Sequence, residues 1–180
     1  VFPYGPLVWG LAVVAAILAG SYPFFKRFFA IPQAYLGIAF GFGIPMGYAA
    51  LTGSVPLSAW IMLVANILWT IAYDTEYAMV DRDDDLKIGI RTSAITFGRH
   101  DVLAVMGCYG ASLALLAWVF AREGLHPAYW IGIVLAAGVA AYHYTLIRTR
   151  SREGCFRAFN HNNWFGASIF LGVLLGVLLK

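Results

Sequence analysis

Long apolar stretches separated by short polar connections dominate the chain. Runs with few charges lie at about 7 to 24, 33 to 51, 55 to 73, 102 to 121, 128 to 147 and 163 to 179. Each run approaches the roughly 20 apolar residues that a helix needs to cross a bilayer. The pattern predicts an all-α, polytopic membrane helical bundle with six transmembrane helices. We expect residues 1–180 to form a single membrane domain.

Composition supports a membrane location. The 180 residues are 61% hydrophobic and only 12% charged, whereas soluble domains are about half apolar and about a quarter charged. The net charge of +3 does not indicate nucleic-acid binding, because the positions of Lys and Arg in a membrane protein report its topology. The expected partner is therefore the lipid bilayer, and no nucleic-acid partner is expected.

Basic residues are concentrated in alternate connections. The connections at 25 to 32, 74 to 100 and 148 to 162 contain most of the Lys and Arg, whereas 52 to 54 has none and 122 to 127 has one. The positive-inside rule assigns the basic connections to the cytoplasm. We expect an integral protein of the bacterial inner membrane in which the polar end of the third span faces the cytosol.

An acidic stretch, "YDTEYAMVDRDDDLK", directly follows the third apolar run and has six acidic residues between positions 74 and 85. If the helix continues past Tyr73, Asp74, Asp81 and Asp85 fall within about 20° of one face, while Asp83 points to the opposite side. Carboxylates on one face repel each other unless a cation lies between them. Mg²⁺ is commonly held by one or two carboxylates and the oxygens of a bound phosphate. The pattern therefore favours a magnesium site for a ligand with a diphosphate head and a hydrocarbon tail.

Two other interpretations of the acidic stretch remain open. A charge-rich helix end could simply be solvated, but this role does not require three aligned carboxylates. A divalent-cation channel or transporter could use an acidic ring to attract ions, but transport would require polar residues that continue through the spans. The carboxylates stop at one end of the span, which favours an enzyme.

The longer segment "YDTEYAMVDRDDDLKIGIRTSAITFG" resembles the second aspartate-rich motif of the UbiA family of intramembrane prenyltransferases. Within that family, it is similar to members that prenylate 4-hydroxybenzoate in ubiquinone biosynthesis. The D-x-x-x-D pattern of the family matches Asp81 and Asp85, and its basic-Thr pair matches Arg91 and Thr92. The stretches "YPFFKR" and "IPQAYLGIAFGFGIPMGYAA" extend the resemblance, which covers the whole chain.

The resemblance implies a reaction and a metal site. A polyprenyl chain would pass from polyprenyl diphosphate to the carbon of 4-hydroxybenzoate ortho to its hydroxyl, with release of diphosphate. Two Mg²⁺ ions would bridge the enzyme to the diphosphate, and Asp81 and Asp85 would be metal ligands. Asp74 would either bind the second metal or orient and deprotonate the phenol. Another aromatic or haem acceptor is the alternative within the family.

Three residues are candidates for binding the diphosphate: Lys26, Tyr22 and Arg91. Lys26 and Arg27 could instead be topological anchors, and Tyr22 could belong to the aromatic belt of the interface. Thr92, which follows Arg91, is a candidate N-cap for the segment "SAITFG".

The chain departs from the family pattern in one respect. Family members have about nine helices and a first N-D-x-x-D motif, and no such motif occurs here. The resemblance therefore implies the C-terminal portion of a UbiA-type bundle, with the last six helices and half of the metal site. We expect these 180 residues alone to insert into membranes but not to catalyse prenyl transfer.

Two further patterns have structural explanations. Gly37, Gly41, Gly43 and Gly47 form small-xxx-small spacings that permit close helix packing, and Pro45 predicts a kink. The four histidines share no metal-ligand spacing, and we leave them out of the predicted site.

Overall fold

The computed structural model describes residues 4–25 and 28–180. The helices in this part of the chain are α1 (Pro6–Phe25), α2 (Pro32–Gly41), α3 (Gly43–Thr52), α4 (Leu57–Ile88), α5 (Ser93–Phe97), α6 (Asp101–Arg122), α7 (Tyr129–Ile147), α8 (Arg152–His161) and α9 (Asn163–Leu178), with a 3-10 turn at Gly98–His100 between α5 and α6. No β-strand occurs among these residues. The predicted all-α class is confirmed.

The described residues contain six segments that are long and apolar enough to cross a membrane. This confirms the predicted six-helix bundle, but three boundaries differ from the apolar runs. The third segment continues to Ile88, so the acidic stretch is helical. The fourth segment begins at Ser93 instead of position 102, because it includes α5 and the 3-10 turn. The last segment begins at Arg152 instead of position 163, because the Ser151 hydroxyl accepts a hydrogen bond from Gly154 N and caps α8. A capped polar helix can thus begin a spanning segment at a position where the run of apolar residues predicts a connection.

α4 is the central helix of the bundle. It packs against α2 and α3 on one side and against α6 and α8 on the other. α7 joins α6 to α9, and α1 covers α2 and α3. Any cavity along α4 can therefore be lined by several different helices.

Two glycines of α2 let it approach α4 closely. A Cβ atom added at Gly37 would lie 2.8 Å from the Ile67 Cα atom, and one at Gly41 would lie 2.5 Å from a Leu63 methyl. Gly43 has no such neighbour within 4 Å. Close packing thus explains the first pair of predicted glycines but not the second.

The predicted kink takes the form of an interruption between α2 and α3 at Phe42. Pro45 lacks an N–H and cannot donate to the carbonyl of Gly41, which is where α2 ends. The break between the two helices therefore lies three residues before the proline itself.

The C-terminal end of α4 is fixed by its own cap and by the next segment. Gly89 adopts φ 71° and donates its N–H to Asp85 O, a left-handed cap that glycine accommodates without strain. Thr92 accepts a hydrogen bond from Ile95 N and caps α5, as predicted. Gln33 Oε1 accepts from Ser93 N at 3.1 Å, so α2 also holds the start of α5. Arg91 therefore lies in a short loop that is held at both ends.

Candidate active site

A cavity of about 190 Å³ lies beside the C-terminal half of α4. Its polar lining includes Tyr22, Gln33, Asp74, Asp81, Asp85 and Arg91, and we call it the carboxylate cavity. Gln33 is buried, whereas Asp81 keeps 34% of its side chain exposed. The helical spacing predicted that Asp74, Asp81 and Asp85 would share a face, and the structure places all three in the lining of this cavity.

Two of the three basic or phenolic candidates for diphosphate binding are also in this lining. Arg91 donates from Nη1 to Phe28 O at 3.1 Å, which leaves other guanidinium N–H groups for a ligand. Tyr22 stacks on Tyr35, with ring centroids 6.5 Å apart and planes 16° from parallel. Lys26 lies outside the described residues, as does Arg27.

Asp83 lies on another side of α4, as its position in the helix predicts. It lines a separate cavity with Arg82, Asp101, Arg150 and Arg152. The Arg150 guanidinium contacts both oxygens of the fully buried Asp101, with Nε at 2.9 Å from Oδ1 and 3.1 Å from Oδ2. The hydrogen bond from Arg150 to Asp101 raises the pKa of Arg150. Arg82 of α4 also pairs with Asp101, at 3.2 Å. Ion pairs at the border of this cavity therefore connect α4, α6 and the loop that follows α7.

The carboxylate cavity has part of the ligand set that Mg²⁺ requires. Within the described ranges, no group of three or more His, Cys, Asp or Glu side chains is arranged to hold a metal ion. Carboxylate oxygens are nevertheless the hard ligands that Mg²⁺ takes, and protein sites commonly supply one or two of them and leave the rest to phosphate and water. Asp81 and Asp85, on successive turns of α4, fit such a partial set.

Arg152 forms an ion pair with one of these carboxylates, Asp81, and would have to give it up to a metal ion. Its Nη2 atom lies 3.3 Å from Asp81 Oδ1 and 3.3 Å from Asp84 Oδ2, and Asp84 also pairs with Lys87 at 3.1 Å. All these side chains are at least one-third exposed. Exposed pairs of this kind are weak, so Asp81 can exchange its arginine for another cation at little cost.

Another cavity, of about 410 Å³, lies farther along α4 toward its N-terminal half. We call it the amide cavity because four asparagines line it, together with one threonine and four aromatic side chains: Asn66, Asn160, Asn162, Asn163, Thr70, Phe40, Trp69, Tyr73 and Phe159. Thr70 precedes Asp74 by one helical turn and lies on the same face of α4, about 6 Å away along the axis. The two cavities are therefore successive along one side of the helix.

An apolar cavity of about 370 Å³ adjoins the amide cavity. The two share Asn66 and Trp69, and the remaining lining includes Met62, Leu116 and Ile169. The lining thus changes along α4 from carboxylates to amides and aromatic rings, and then to hydrocarbon. This sequence of environments offers places for an anionic group, for a polar aromatic ring and for a hydrocarbon group.

A fully buried polar cluster lies behind the cavities, and sequence reasoning missed it. Glu76 Oε1 is 3.0 Å from His143 Nδ1 and 3.2 Å from the Tyr109 hydroxyl. His143 Nε2 is 3.3 Å from His161 Nδ1. These histidines have no metal-ligand spacing, but ionisable residues inside membrane spans are functional candidates by default, which was the signal available in the sequence. Which residues pair could be known only from the packing of α4, α6, α7 and α8.

The family of the chain follows from comparison with known proteins. The model of the UbiA prenyltransferase family matches residues 1–175. The 4-hydroxybenzoate octaprenyltransferase of Azoarcus sp. (strain BH72) is 65% identical over 179 residues, which are 99% of this chain and 62% of that protein. The enzyme of the same name from Cupriavidus necator (strain ATCC 17699) is 63% identical over 180 residues, covering all of this chain and 63% of the relative.

A solved structure shows the same fold. The apo structure of a UbiA homolog from Aeropyrum pernix K1 matches with a TM-score of 0.72 at 24% identity, over 89% of this chain and 62% of that one. The present chain thus spans less than two thirds of the length of the proteins it matches. With 175 of its residues matched by the family model, the chain belongs to the UbiA prenyltransferase family.

Proposed function

We propose that the protein containing this chain transfers a polyprenyl group from polyprenyl diphosphate to 4-hydroxybenzoate and releases diphosphate. The observation that carries this proposal is the order of environments along α4: the carboxylate cavity is followed on the same side of the helix by a polar aromatic cavity and an apolar one. The names and identities of the two relatives agree with it.

The diphosphate end of the donor belongs in the carboxylate cavity. Mg²⁺ held by Asp81 and Asp85 would stabilise the negative charge that develops on the leaving diphosphate. Arg91 and Tyr22 line the same cavity and would donate hydrogen bonds to phosphate oxygens, and Lys26 is proposed for the same role. These donors favour the departure of the diphosphate with the electron pair of the breaking C–O bond.

The bond-forming step is an electrophilic aromatic substitution. The allylic carbon forms a bond to the ring carbon ortho to the hydroxyl, and that ring carbon then loses its proton to the released diphosphate. Asp74, on the carboxylate cavity wall nearest to the amide cavity, would accept a hydrogen bond from the phenol hydroxyl and increase electron density on the ring. Trp69 and Tyr73 line the adjoining space, where aromatic faces stabilise an allylic cation and exclude water.

We also propose that the carboxylate end of α4 faces the cytosol of a bacterium, in its inner membrane. Lys87, Arg91 and Arg99 lie at this end, and Arg148 to Arg157 lie at the same end of the last helices. The asymmetry of basic residues is the basis of this orientation.

The test is product formation by the complete gene product in membranes. Labelled polyprenyl diphosphate is supplied with 4-hydroxybenzoate or with a panel of other aromatic acids, in the presence of Mg²⁺ or of EDTA. We expect a prenylated 4-hydroxybenzoate, identified by mass spectrometry, only when Mg²⁺ is present. Failure to prenylate any aromatic acid, or equal turnover in EDTA, would contradict the proposal.

A further inference from the structure

Asn162 lies where α8 ends and α9 begins, between the amide cavity and the buried cluster. Its Oδ1 atom accepts a hydrogen bond from Trp69 Nε1 at 2.8 Å and one from the Tyr109 hydroxyl at 3.4 Å. An indole N–H can only donate, so the amide oxygen must face Trp69 and the orientation of the amide is fixed by chemistry. The two Nδ2–H donors are then the groups that Asn162 can offer to a ligand in the cavity that it lines.

The buried cluster fixes Tyr109, and Tyr109 in turn holds Asn162. The hydroxyl of Tyr109 lies 3.2 Å from Glu76 Oε1 and 3.1 Å from His143 Nδ1. Tyr109 is 1% exposed, and Glu76 and His143 are completely buried. Three helices, α4, α6 and α7, thus contribute to holding one amide at the break between α8 and α9.

Helix packing alone does not account for an acidic side chain at this place. Glu76 Oε2 has no hydrogen-bond partner among the described residues. Burial of a carboxyl oxygen without a partner is costly, and apolar residues of similar volume can hold helices together without this cost. The polar cluster is therefore better explained by what it positions, and its link to the cavities runs from Tyr109 to Asn162.

The amide cavity is suited to an aromatic acid rather than to a hydrocarbon tail. Asn66 and Asn160 each already donate to a backbone carbonyl, that of Gly37 and of Phe156. A prenyl chain would cover the N–H groups of Asn162 and return no hydrogen bond, which is unfavourable.

An aromatic acid would instead stack on the rings of Phe159 and Tyr73, whose centroids are 6.3 Å apart, and its carboxylate would accept from amide N–H groups. Its hydroxyl end would then point along α4 toward Asp74.

We propose that Asn162 binds the carboxylate of the aromatic substrate through Nδ2–H, and that Trp69 and the Tyr109–Glu76–His143 cluster are positioning residues that fix its amide. This inference rests on the proposed prenyltransferase function and adds a binding residue for the acceptor. It also assigns the two cavities: the donor diphosphate takes the carboxylate cavity and the acceptor ring takes the amide cavity.

The experiment measures KM for each substrate separately in the complete gene product. Replacing Asn162 by Leu should raise the KM for 4-hydroxybenzoate about tenfold, the size of a lost hydrogen bond to a charged group. The KM for polyprenyl diphosphate should stay within about twofold of wild type. Ser168→Ala is the matched control on α9, because its hydroxyl donates within its own helix to Trp164 O, at 2.7 Å, and Ser168 is not among the residues that line the amide cavity. It should leave both values unchanged.

Two inhibitors separate substrate binding from a general structural effect. Benzoate has the carboxylate without the hydroxyl, and phenol has the hydroxyl without the carboxylate. Asn162→Leu should weaken inhibition by benzoate about tenfold and leave inhibition by phenol unchanged. A general disturbance of the cavity would weaken both.

Conservative variants test the positioning cluster. Tyr109→Phe removes one oxygen and should raise the KM for 4-hydroxybenzoate about three- to fivefold, the size of a neutral hydrogen bond. Tyr109 has one hydroxyl proton, and when that proton goes to Asn162 Oδ1 the Tyr109 oxygen accepts from the cluster. Glu76→Gln keeps a group that can donate to this oxygen and should behave like wild type, whereas Glu76→Leu removes it and should raise the KM by less than Tyr109→Phe does. If Asn162→Leu fails to fold, the near-isosteric Tyr109→Phe variant decides the question.

The possible failures are distinguishable. Wild-type protein that prenylates no aromatic acid would refute the proposed function and this inference with it. Wild-type turnover combined with an unchanged KM for 4-hydroxybenzoate in Asn162→Leu and Tyr109→Phe would overturn the inference alone. Equal increases in the KM of both substrates would also overturn it, because the cavity would then not belong to the acceptor.

Discussion

Replacing Asp81 or Asp85 by Asn should abolish turnover without unfolding the protein, and replacing Asp83 should do neither. The ion pair of Asp81 with Arg152 is 3.3 Å long, and the two side chains are 34% and 66% exposed. Exposed pairs contribute about 0.2 to 1 kcal/mol, so Asp81→Asn should lower the free energy of unfolding by less than about 1 kcal/mol. Loss of a metal ligand should instead remove about 4 kcal/mol of transition-state stabilisation, or about a thousandfold in rate.

The assay compares the three variants of the complete gene product in the same membranes. Turnover is measured with saturating Mg²⁺, and the thermal melting temperature reports folding. Asp83→Asn is the matched control, since Asp83 is in the same acidic stretch but lines the cavity of Arg82 and Arg150. Equal losses of activity at Asp83 and Asp81, or a loss of Asp81 activity that follows a loss of folded protein, would refute the one-face geometry of the site.

Three other predictions concern packing, the buried ion pair and topology. Gly132→Ala should lower the free energy of unfolding by at least about 2 kcal/mol, because the added Cβ would lie 2.5 Å from Gly172 Cα. Gly138→Ala on the same helix is the control, since its Cβ meets nothing within 4 Å. Equal stabilities of the two variants would contradict the α7–α9 contact. Asp101→Ala should lower the free energy of unfolding by about 1.5 to 3 kcal/mol in a denaturation experiment, the size of a hydrogen bond to a charged group. The arginines that it leaves unpaired, Arg150 and Arg82, are themselves 41% and 31% exposed, and a loss under about 0.5 kcal/mol would show that these ion pairs are dispensable. A thiol label on Cys placed at 88 should react only from the cytosolic side and one at 54 only from the opposite side; the reverse pattern would remove the proposed orientation.

The spans and the carboxylate face could be predicted because both depend on local periodicity. An apolar run of about 20 residues indicates a membrane helix whatever surrounds it. Once α4 is taken as one continuous helix, the positions of Asp74, Asp81 and Asp85 follow from 100° per residue. The start of the last spanning segment at Arg152 is not predicted by the apolar runs, because Arg152–His161 is polar on average and does not extend the last run. Its Cys155, Ala158 and Phe159 do recur at helical spacing, and Ser151 caps the helix.

The buried cluster could not be predicted, because its members are far apart in the sequence. Glu76 and His143 are separated by 67 residues, and Glu76 and Tyr109 by 33. Glu76 is part of the acidic stretch but lies on a different face of α4 from Asp74, and only the packing of α6 and α7 shows what it contacts. Metal-ligand spacing does not detect the contacts of His143 and His161, because these are hydrogen bonds across helices.

The most direct test of the metal-bridged diphosphate site is an equilibrium binding measurement on the complete gene product. Labelled polyprenyl diphosphate is titrated in membranes with Mg²⁺ or with EDTA, and unlabelled inorganic diphosphate is added as a competitor. The site described here predicts binding that requires Mg²⁺, is displaced by inorganic diphosphate and is lost in Asp85→Asn. Binding of equal strength in EDTA, or binding that Asp85→Asn leaves intact, would contradict it.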